Sequence, residues 1–481
     1  MKRTLALALA SMLLLALLAA PAYAAEKVTI LYPGDESDRM TELLRGELGD
    51  KLLADLDMEI EVIWLPWGEY WDHKTIKLQA MDPIDLYWDG TGNIGQVYNR
   101  QECRPLDELI ETYGQDMLKV LPIEHIRGGG TINGEIFAIP SAYKPASASR
   151  QLVCLRQDIL EAVGMSHIAT ADDLFEFAVK AKEMFPEIKG VGDPMYFPIS
   201  RFFATEPLLL CIARDELVAY NEATQQAVCY FETEAFQELC KFNAKLAAAG
   251  LFSDEETLNY EARDARLDSG NYLWMEGSLG KDLERINSLR GNVPEAKLAT
   301  YLLAPDKPKY ITTAGGEALF IPYSAANPEG AMKFLNWLYG SQENFRLAIF
   351  GVEGVDYQLI DGAVAPLEEG GTLPEFFYEW MFDNASYKAF PADVSQEYID
   401  NYLAWDEGAL VSAMLGFQFN NDKVLEVEVR LQEAMRDFRP LMTGFVDFDD
   451  VYPGFIQNLK DAGIDEYVAE VQFQIDAFLG K

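Results

Sequence analysis

Apolar and polar positions change period several times along the chain, and the changes mark out its elements. Lys27 to Tyr32 (KVTILY) is β-branched and apolar and predicts a strand. Pro33-Gly34-Asp35 predicts a turn. Asp38 to Leu56 carries apolar residues at the spacing of a helix with one buried face. Met58 to Leu65 returns to strand character, Trp67 to Gln79 to helix and Ile84 to Trp88 to strand. Strand, helix, strand, helix, strand in so short a stretch is the pattern of a parallel α/β sheet. Ligands of such sheets bind beyond the carboxyl ends of the strands. Here those ends are the Pro33–Arg39 loop, the Leu65–Trp67 corner and the Trp88–Thr91 loop.

Further on, Pro105 to Tyr113 predicts a short helix, and Ile136 to Pro140 and Gln151 to Leu155 predict strands. Helices follow over Arg156 to Val163 and Ala171 to Phe185, the second opened by Thr170 as a cap before Asp172 and Asp173. Leu217 to Tyr230 holds short strand-like pieces, and Thr233 to Ala249 is helical. Tyr272 to Met275 and Lys297 to Leu303 are strands. Thr313 to Pro322 sets a double glycine directly before a strand, and Asn327 caps a helix to Tyr339. Beyond Gly370 the pattern is mainly helical, with Gln396 to Phe417, Val424 to Arg439 and Tyr467 to Leu479 as its helices.

The amino-terminal end has a different pattern. Lys2 and Arg3 precede an uncharged apolar run from Thr4 to Ala20, and Pro21-Ala22-Tyr23-Ala24 closes it with small residues. This predicts a secretory signal peptide over 1–24, cleaved after Ala24. The segment holds no cysteine to carry a lipid, since the first is Cys103. The expectation is an exported, soluble protein, periplasmic or extracellular. The mature chain beyond the signal is too long for one core, so two or three domains are expected. The net charge of −39 is spread along the chain and reads as a solubilising surface. It argues against nucleic acid and anionic lipid as partners, because both need clustered Lys and Arg. The five cysteines form no C-x-x-C pair and are expected to be mostly buried thiols.

Most catalytic signatures are missing. There is no H-E-x-x-H and no G-x-S-x-G, and only three His occur. Gly277-Ser278-Leu279-Gly280-Lys281 has the wrong spacing for a phosphate loop. Asp447, Asp449 and Asp450 lack the loop glycine and terminal Glu of a calcium loop and read as a solvated acidic turn. No cofactor, metal or catalytic residue is expected. A glycosidase needs only two carboxylates at a set separation, so that class stays open among 78 acidic residues.

What remains is aromatic. Trp64, Trp67, Trp71 and Trp88 crowd the carboxyl ends of the early strands, beside Tyr70 and Tyr87. Sugar rings offer apolar faces to flat aromatics and hydroxyl rims to polar side chains. Trp64 and Trp337 lie in apolar patterns and read as core. For Trp88 and Trp405, flanked by acidic and polar residues, core and platform stand level.

Thr131 to Pro140 (TINGEIFAIP), Val153 to Gly164 (VCLRQDILEAVG) and Thr170 to Ala181 (TADDLFEFAVKA) together resemble the extracellular solute-binding proteins of sugar ABC transporters. Gly34, Asp85-Leu86, Met275-Glu276-Gly277 and Gly315-Gly316 come in the order of that family. Leu415 to Phe419 (LGFQF), Thr443 to Asp447 (TGFVD), Ala462 to Ile464 and Glu470 to Gln474 (EVQFQ) resemble the uncharacterised C-terminal module of certain Gram-positive sugar-binding lipoproteins. Those relatives usually carry the lipid-bearing cysteine that this chain lacks.

The resemblance implies an α/β fold of the two-lobe, periplasmic-binding-protein-like type II class with a hinge, plus a mainly helical C-terminal part. It places lobe one at 25–140 and 318–365, and lobe two at 141–317 and 366–481. Hinge strands fall at Pro140–Pro145 and Thr312–Gly316. The implied ligand-binding residues are Asp35, Asp38, Arg39, Trp67, Trp88, Asp89, Tyr143, Lys144, Ser278, Lys281, Gly315, Gly316, Glu317 and Trp405. The implied function is non-catalytic: a monomer that closes on a carbohydrate, an oligosaccharide foremost, and delivers it to the permease subunits of an ABC importer. Two alternatives stand beside it: a secreted glycoside-active enzyme using a carboxylate pair, and the same fold binding a peptide or other small solute.

Overall fold

The computed structural model describes residues 25–141, 152–192, 208–209, 217–253, 263–311, 316–368, 373–383, 386–391, 394–436 and 439–481. The signal segment, Tyr143, Lys144 and Gly315 lie outside the described residues.

The strand and helix alternation near the start builds the sheet it predicts. Strand β1 (Glu26–Pro33) is followed by helices α1 (Asp38–Arg45) and α2 (Glu47–Leu56), strand β2 (Met58–Leu65), helix α3 (Trp67–Gln79) and strand β3 (Leu86–Gly90). β1 lies between β2 and β3, parallel to both, with Ile30 opposite Val62 on one side and Leu86 on the other. The single helix expected over Asp38 to Leu56 is two helices. Gly46 caps the first and opens the second, and its N–H bonds back to the Glu42 carbonyl.

Two further strands complete this sheet. β3 is followed by helices α4 (Ile94–Asn99) and α5 (Ile123–Gly130) and by the short strand β4 (Ile139–Pro140). A strand at Glu317–Phe320 then returns from far along the chain and inserts antiparallel between β3 and β4. One continuous core forms around the sheet, including Val28, Leu31, Tyr87, Ile94, Phe137, Leu319, Phe334 and Leu338. The same core takes in Phe377, Met381 and Phe382. Segment 373–382 therefore packs on the first lobe, past the 365 limit expected from the sequence, because its apolar residues are buried there.

The other half has two principal cores. Strand β5 (Leu152–Arg156) is central in an antiparallel three-stranded sheet, flanked by Trp274–Gly277 and Leu298–Leu302. Helix α6 (Ala171–Met184) covers it. The Thr170 cap is a full capping box: its hydroxyl accepts from the Asp173 N–H, and the Asp173 carboxylate accepts from the Thr170 N–H. Helix α7 (Glu234–Ala248) is shared. Leu239, Phe242 and Leu246 face the β5 core, while Ala235, Phe236 and Cys240 face a second core with the hairpin Val218–Asn221 and Gln226–Cys229.

That second core is closed by the C-terminal helices. The helix expected over Gln396 to Phe417 stops at Leu403. A turn with Gly408 at φ +73 comes next, and Leu410–Val411 pairs in parallel with Tyr310–Ile311. Leu425–Arg436 is helical near its expected bounds, and Ile464–Phe478 begins three residues earlier than expected. A helix that the pattern did not predict lies between them at Phe448–Ala462, with Pro453 inside it. Its N-cap is Asp447, whose carboxylate accepts from the N–H groups of Asp449 and Asp450, so the acidic turn is a capped helix start.

Cys103, Cys154, Cys229 and Cys240 are buried free thiols, and Cys211 lies outside the described residues. Burial pushes the thiols of Cys103, Cys229 and Cys240 up to about 12. Among the described residues no helix is long and apolar enough to cross a membrane.

Candidate functional site

The carboxyl ends of β1, β2 and β3 gather an aromatic wall. Pro66 ends β2 and turns the chain into α3, so that Trp67 opens the helix and Trp71 stands one turn later. Trp88 comes up from the end of β3 between them. Its ring lies 5.7 Å from Trp67, 5.3 Å from Trp71 and 5.7 Å from Tyr70. Segment 373–382 adds Tyr378 and Trp380. Trp380 stacks on Trp67 at 6.0 Å and on Tyr378 at 5.8 Å, and stands edge-on to Trp88 at 5.4 Å. Trp88 is 5 % exposed and forms the floor, whereas Trp67 and Trp71 are 38 % and 45 % exposed and present ring surface to water.

Polar bonds hold the rings in place. The Trp88 indole N–H donates to the Glu317 carboxylate at 2.8 Å, and the Trp67 indole N–H to the Tyr378 hydroxyl at 3.3 Å. The Tyr378 backbone N–H donates to the Tyr32 hydroxyl at 2.6 Å. Gly34, at φ +122, lies directly beneath Tyr378, where a Cβ would come within 3.0 Å of the hydroxyl. Glycine is required there both for the backbone angle and for the close approach.

Several residues expected to touch ligand are occupied instead. Asp89 is enclosed, and its carboxylate accepts from Lys74 Nζ, from the Gly90 N–H at 2.7 Å and from Asn93 Nδ2 at 2.7 Å. Lys74 is equally enclosed and sits 4.6 Å beneath the Trp71 ring. This pair supports the wall from behind. Arg39 makes a two-pronged bond to Asp356, at 2.8 Å for each prong, which joins α1 to the 351–357 turn. Asp35 and Asp38 are exposed, and Asp38 lies in the first turn of α1. The Gly316 carbonyl accepts from the N–H and hydroxyl of Thr91 and ties the returning strand to β3.

The other half of the molecule carries a polar surface. Helix α8 (Lys281–Arg290) opens after Gly280, which is at φ +84 and packs under Tyr402. Ser278 is exposed, and Lys281 bonds both oxygens of Glu284 at 2.8 and 2.7 Å. Behind them Asp282 accepts from Tyr398 at 2.8 Å and Thr300 at 3.0 Å; burial still raises its pKa. Trp405 joins no ring of the wall. It lies beside Lys309, whose ammonium is 4.5 Å over its ring and bonds its carbonyl.

Between the two surfaces lies a cluster that sequence reasoning missed. Lys388 is buried against Glu379 at 2.7 Å and Asp383 at 3.5 Å. Burial works against its charge, but the two carboxylates outweigh it and raise its pKa well above the usual lysine value. Water reaches Glu375, yet neighbouring protein crowds its carboxyl. That crowding, with Glu379 and more distantly Glu284, pushes its carboxyl up to about 7.

Proteins of known sequence and structure share this architecture. A carbohydrate ABC transporter substrate-binding protein of Streptococcus pneumoniae serotype 4 is 25 % identical over 465 residues, covering 93 % of this chain and 89 % of the relative. This chain is similar to carbohydrate ABC transporter substrate-binding proteins over nearly its whole length. Residues 413–480 of the solute-binding protein match DUF3502, a domain of unknown function. The crystal structure of the S. pneumoniae N-glycan transport solute-binding protein NgtS, in complex with Man1GlcNAc, superposes with a TM-score of 0.78. The match is at 22 % identity and covers 95 % of this chain and 100 % of that one. The S. pneumoniae substrate-binding protein FusA, in complex with kestose, gives a TM-score of 0.62 at 15 % identity, covering 94 % and 99 %.

Proposed function

We propose that this solute-binding protein, exported by its signal segment, captures an uncharged oligosaccharide between the aromatic wall and the α8 surface and delivers it to an ABC importer. The observation that carries this reading is the wall itself. Four indoles stand within 6.0 Å of a neighbour, and two of them are open to water at the carboxyl ends of a parallel sheet. Flat, rigid rings of this kind receive the apolar faces of successive sugar units, and carboxylates and amides take their hydroxyls. Trp67, Trp71 and Trp380 are assigned to stacking, and Glu317, Glu375, Asp35 and Ser278 to hydroxyl contacts. Closure results as ligand contacts from both surfaces stabilise the closed form. The relatives support the class of ligand: NgtS is described with Man1GlcNAc and FusA with kestose.

Charge supports an uncharged ligand. Beside the wall, among the described residues, Lys74, Arg39, Lys281 and Lys388 are each paired with carboxylates. An anionic sugar would meet Glu375, Glu317 and Glu284 without a free cation to offset them. A glycosidase pair is disfavoured at the same place. Glu375 has the raised pKa of a general acid, but its neighbour Glu379 is buried and its oxygens accept from Lys388 and the Ala389 N–H.

A thermal-shift panel tests the reading, since a bound ligand raises the melting temperature as its concentration rises. The panel holds mannose-containing and fructose-containing neutral oligosaccharides, a uronate oligosaccharide of equal length, and peptides. Neutral sugars should shift the transition and remain uncleaved. A shift with peptides only, or turnover of a glycan, would overturn the proposal.

A further inference from the structure

The C-terminal module is joined firmly to one lobe and reaches the other through a projection. Toward the second lobe it shares a core with the 218–229 hairpin and α7, through Leu431, Phe455, Leu459, Tyr467 and Val471. Polar bonds reinforce this seam. Tyr452 donates to the Phe231 carbonyl at 3.0 Å, Asn243 to the Met442 carbonyl at 2.9 Å, and the Ala227 N–H to Gln472 at 2.6 Å. At Gly444 the backbones approach so closely that a Cβ would fall 2.3 Å from the Ala244 nitrogen.

The projection is residues 416–422. The Gln474 side chain clamps its tip, accepting from the Asn420 N–H at 2.9 Å and donating to the Asn420 carbonyl at 2.7 Å. Phe419 packs edge-on to Tyr467 at 5.5 Å, and Phe417 to Phe478 at 5.6 Å. The loop that follows LGFQF is thus held by the last helix, through Tyr467, Gln474 of EVQFQ and Phe478.

That loop reaches two helices of the first lobe. A Cβ on Gly95 of α4 would lie 3.1 Å from the Phe419 carbonyl, and one on Gly416 would lie 3.3 Å from the Gly128 carbonyl of α5. Asn99, at the end of α4, bonds Asn420 at 3.4 Å and Asp422 at 3.5 Å. Ile94 and Val97 of the same helix are buried in the first core, so α4 moves with that lobe.

We propose that the C-terminal module is a spacer: its 416–422 projection, held by Gln474, rests on α4 and α5 and fixes the distance between the lobes. A prop between the lobes limits their relative rotation to one range. The contact is small and polar, made of backbone carbonyls, glycines and amides, so it can part and re-form without a large desolvation cost.

The test measures the gap directly and needs no ligand, so it stands apart from the carbohydrate reading. Spin labels are attached to Ile76→Cys on α3 and Met184→Cys on α6, both highly exposed positions. The background carries Cys211→Ser, and the four described cysteines are buried from the label. In the otherwise wild-type chain, pulsed dipolar spectroscopy should give one narrow distance distribution. Gly95→Leu sets a branched side chain against the Phe419 carbonyl and should lengthen the mean distance. Gln474→Ala frees the projection and should broaden the distribution. Asn99→Ala removes only the side-chain bridge and should broaden it less. Distributions for Gln474→Ala and Asn99→Ala that match wild type, in chains with unchanged helical circular dichroism, would overturn the proposal. Should Gly95→Leu fail to fold, these two half-buried surface positions decide the matter by themselves.

Discussion

The two surfaces proposed to hold the ligand are built on opposite principles. The wall is made of large rings fixed against one another, with a paired lysine and aspartate behind them. The α8 surface is made of short polar groups, each bonded to a neighbour on its own side: Lys281 to Glu284, and Asp282 to Tyr398 and Thr300. A ring wall keeps its shape because nearly every atom has a packed neighbour, whereas a polar surface can exchange its internal bonds for bonds to a ligand. On the proposed reading the wall would select by shape, and the α8 surface would adapt.

The contrast breaks most severely at the buried pair behind the wall. Lys74→Met leaves Asp89 charged and enclosed without its cation, which should cost about 3–5 kcal/mol of stability, measured by urea unfolding. Trp67→Ala should leave the fold intact and weaken the binding of a neutral oligosaccharide by about 2 kcal/mol, roughly thirty-fold, read by calorimetry. An unchanged affinity there would remove Trp67 from the site. On the opposite surface, Tyr398→Phe removes one hydrogen bond and leaves Thr300 to serve Asp282. It should cost about 1 kcal/mol of stability and change affinity far less than Trp67→Ala does.

The smallest effect is one of pH. Glu375 has a folded pKa of about 7, above the ordinary carboxylate value, so the folded chain holds its proton more tightly than the unfolded one. Its contribution to stability is fully present below the ordinary glutamate range and is lost as pH rises through the folded value. The groups that set this are Glu379 and Glu284, opposed by Lys388. Glu375→Gln should flatten the fall in melting temperature between about pH 5 and 8. An identical fall in both proteins would show that Glu375 titrates elsewhere.

The first lobe is legible in the sequence, and the wall only half so. The alternation over Lys27 to Trp88 reports local periods, and β1, β2, β3 and α3 form where it puts them. Trp67 and Trp88 come with them, because they sit at strand ends. Tyr378 and Trp380 complete the same wall from far along the chain, and no local pattern shows that segment 373–382 returns to the first core. Asp89 has the composition of a sugar ligand in sequence. Only its spatial proximity to Lys74 reveals that the carboxylate is already paired. The helix at Phe448–Ala462 is hidden because proline disfavours a helix interior and the Asp cluster reads as an acidic turn, although that cluster is a cap. Trp405 leaves its expected helix because Gly408 turns the chain and the strand pair at Leu410–Val411 takes over.

The crowding of indoles has an optical consequence. Trp67, Trp71, Trp88 and Trp380 are four of the chain's eight tryptophans, and each lies within 6.0 Å of another of the four. Transitions of chromophores so close together couple, so this surface should contribute to the near-ultraviolet dichroism of the protein. A sugar unit settling on Trp67 and Trp71 would change their solvation and emission at once. The protein thus carries a built-in reporter, and the filling of its cleft can be followed by light without any added dye.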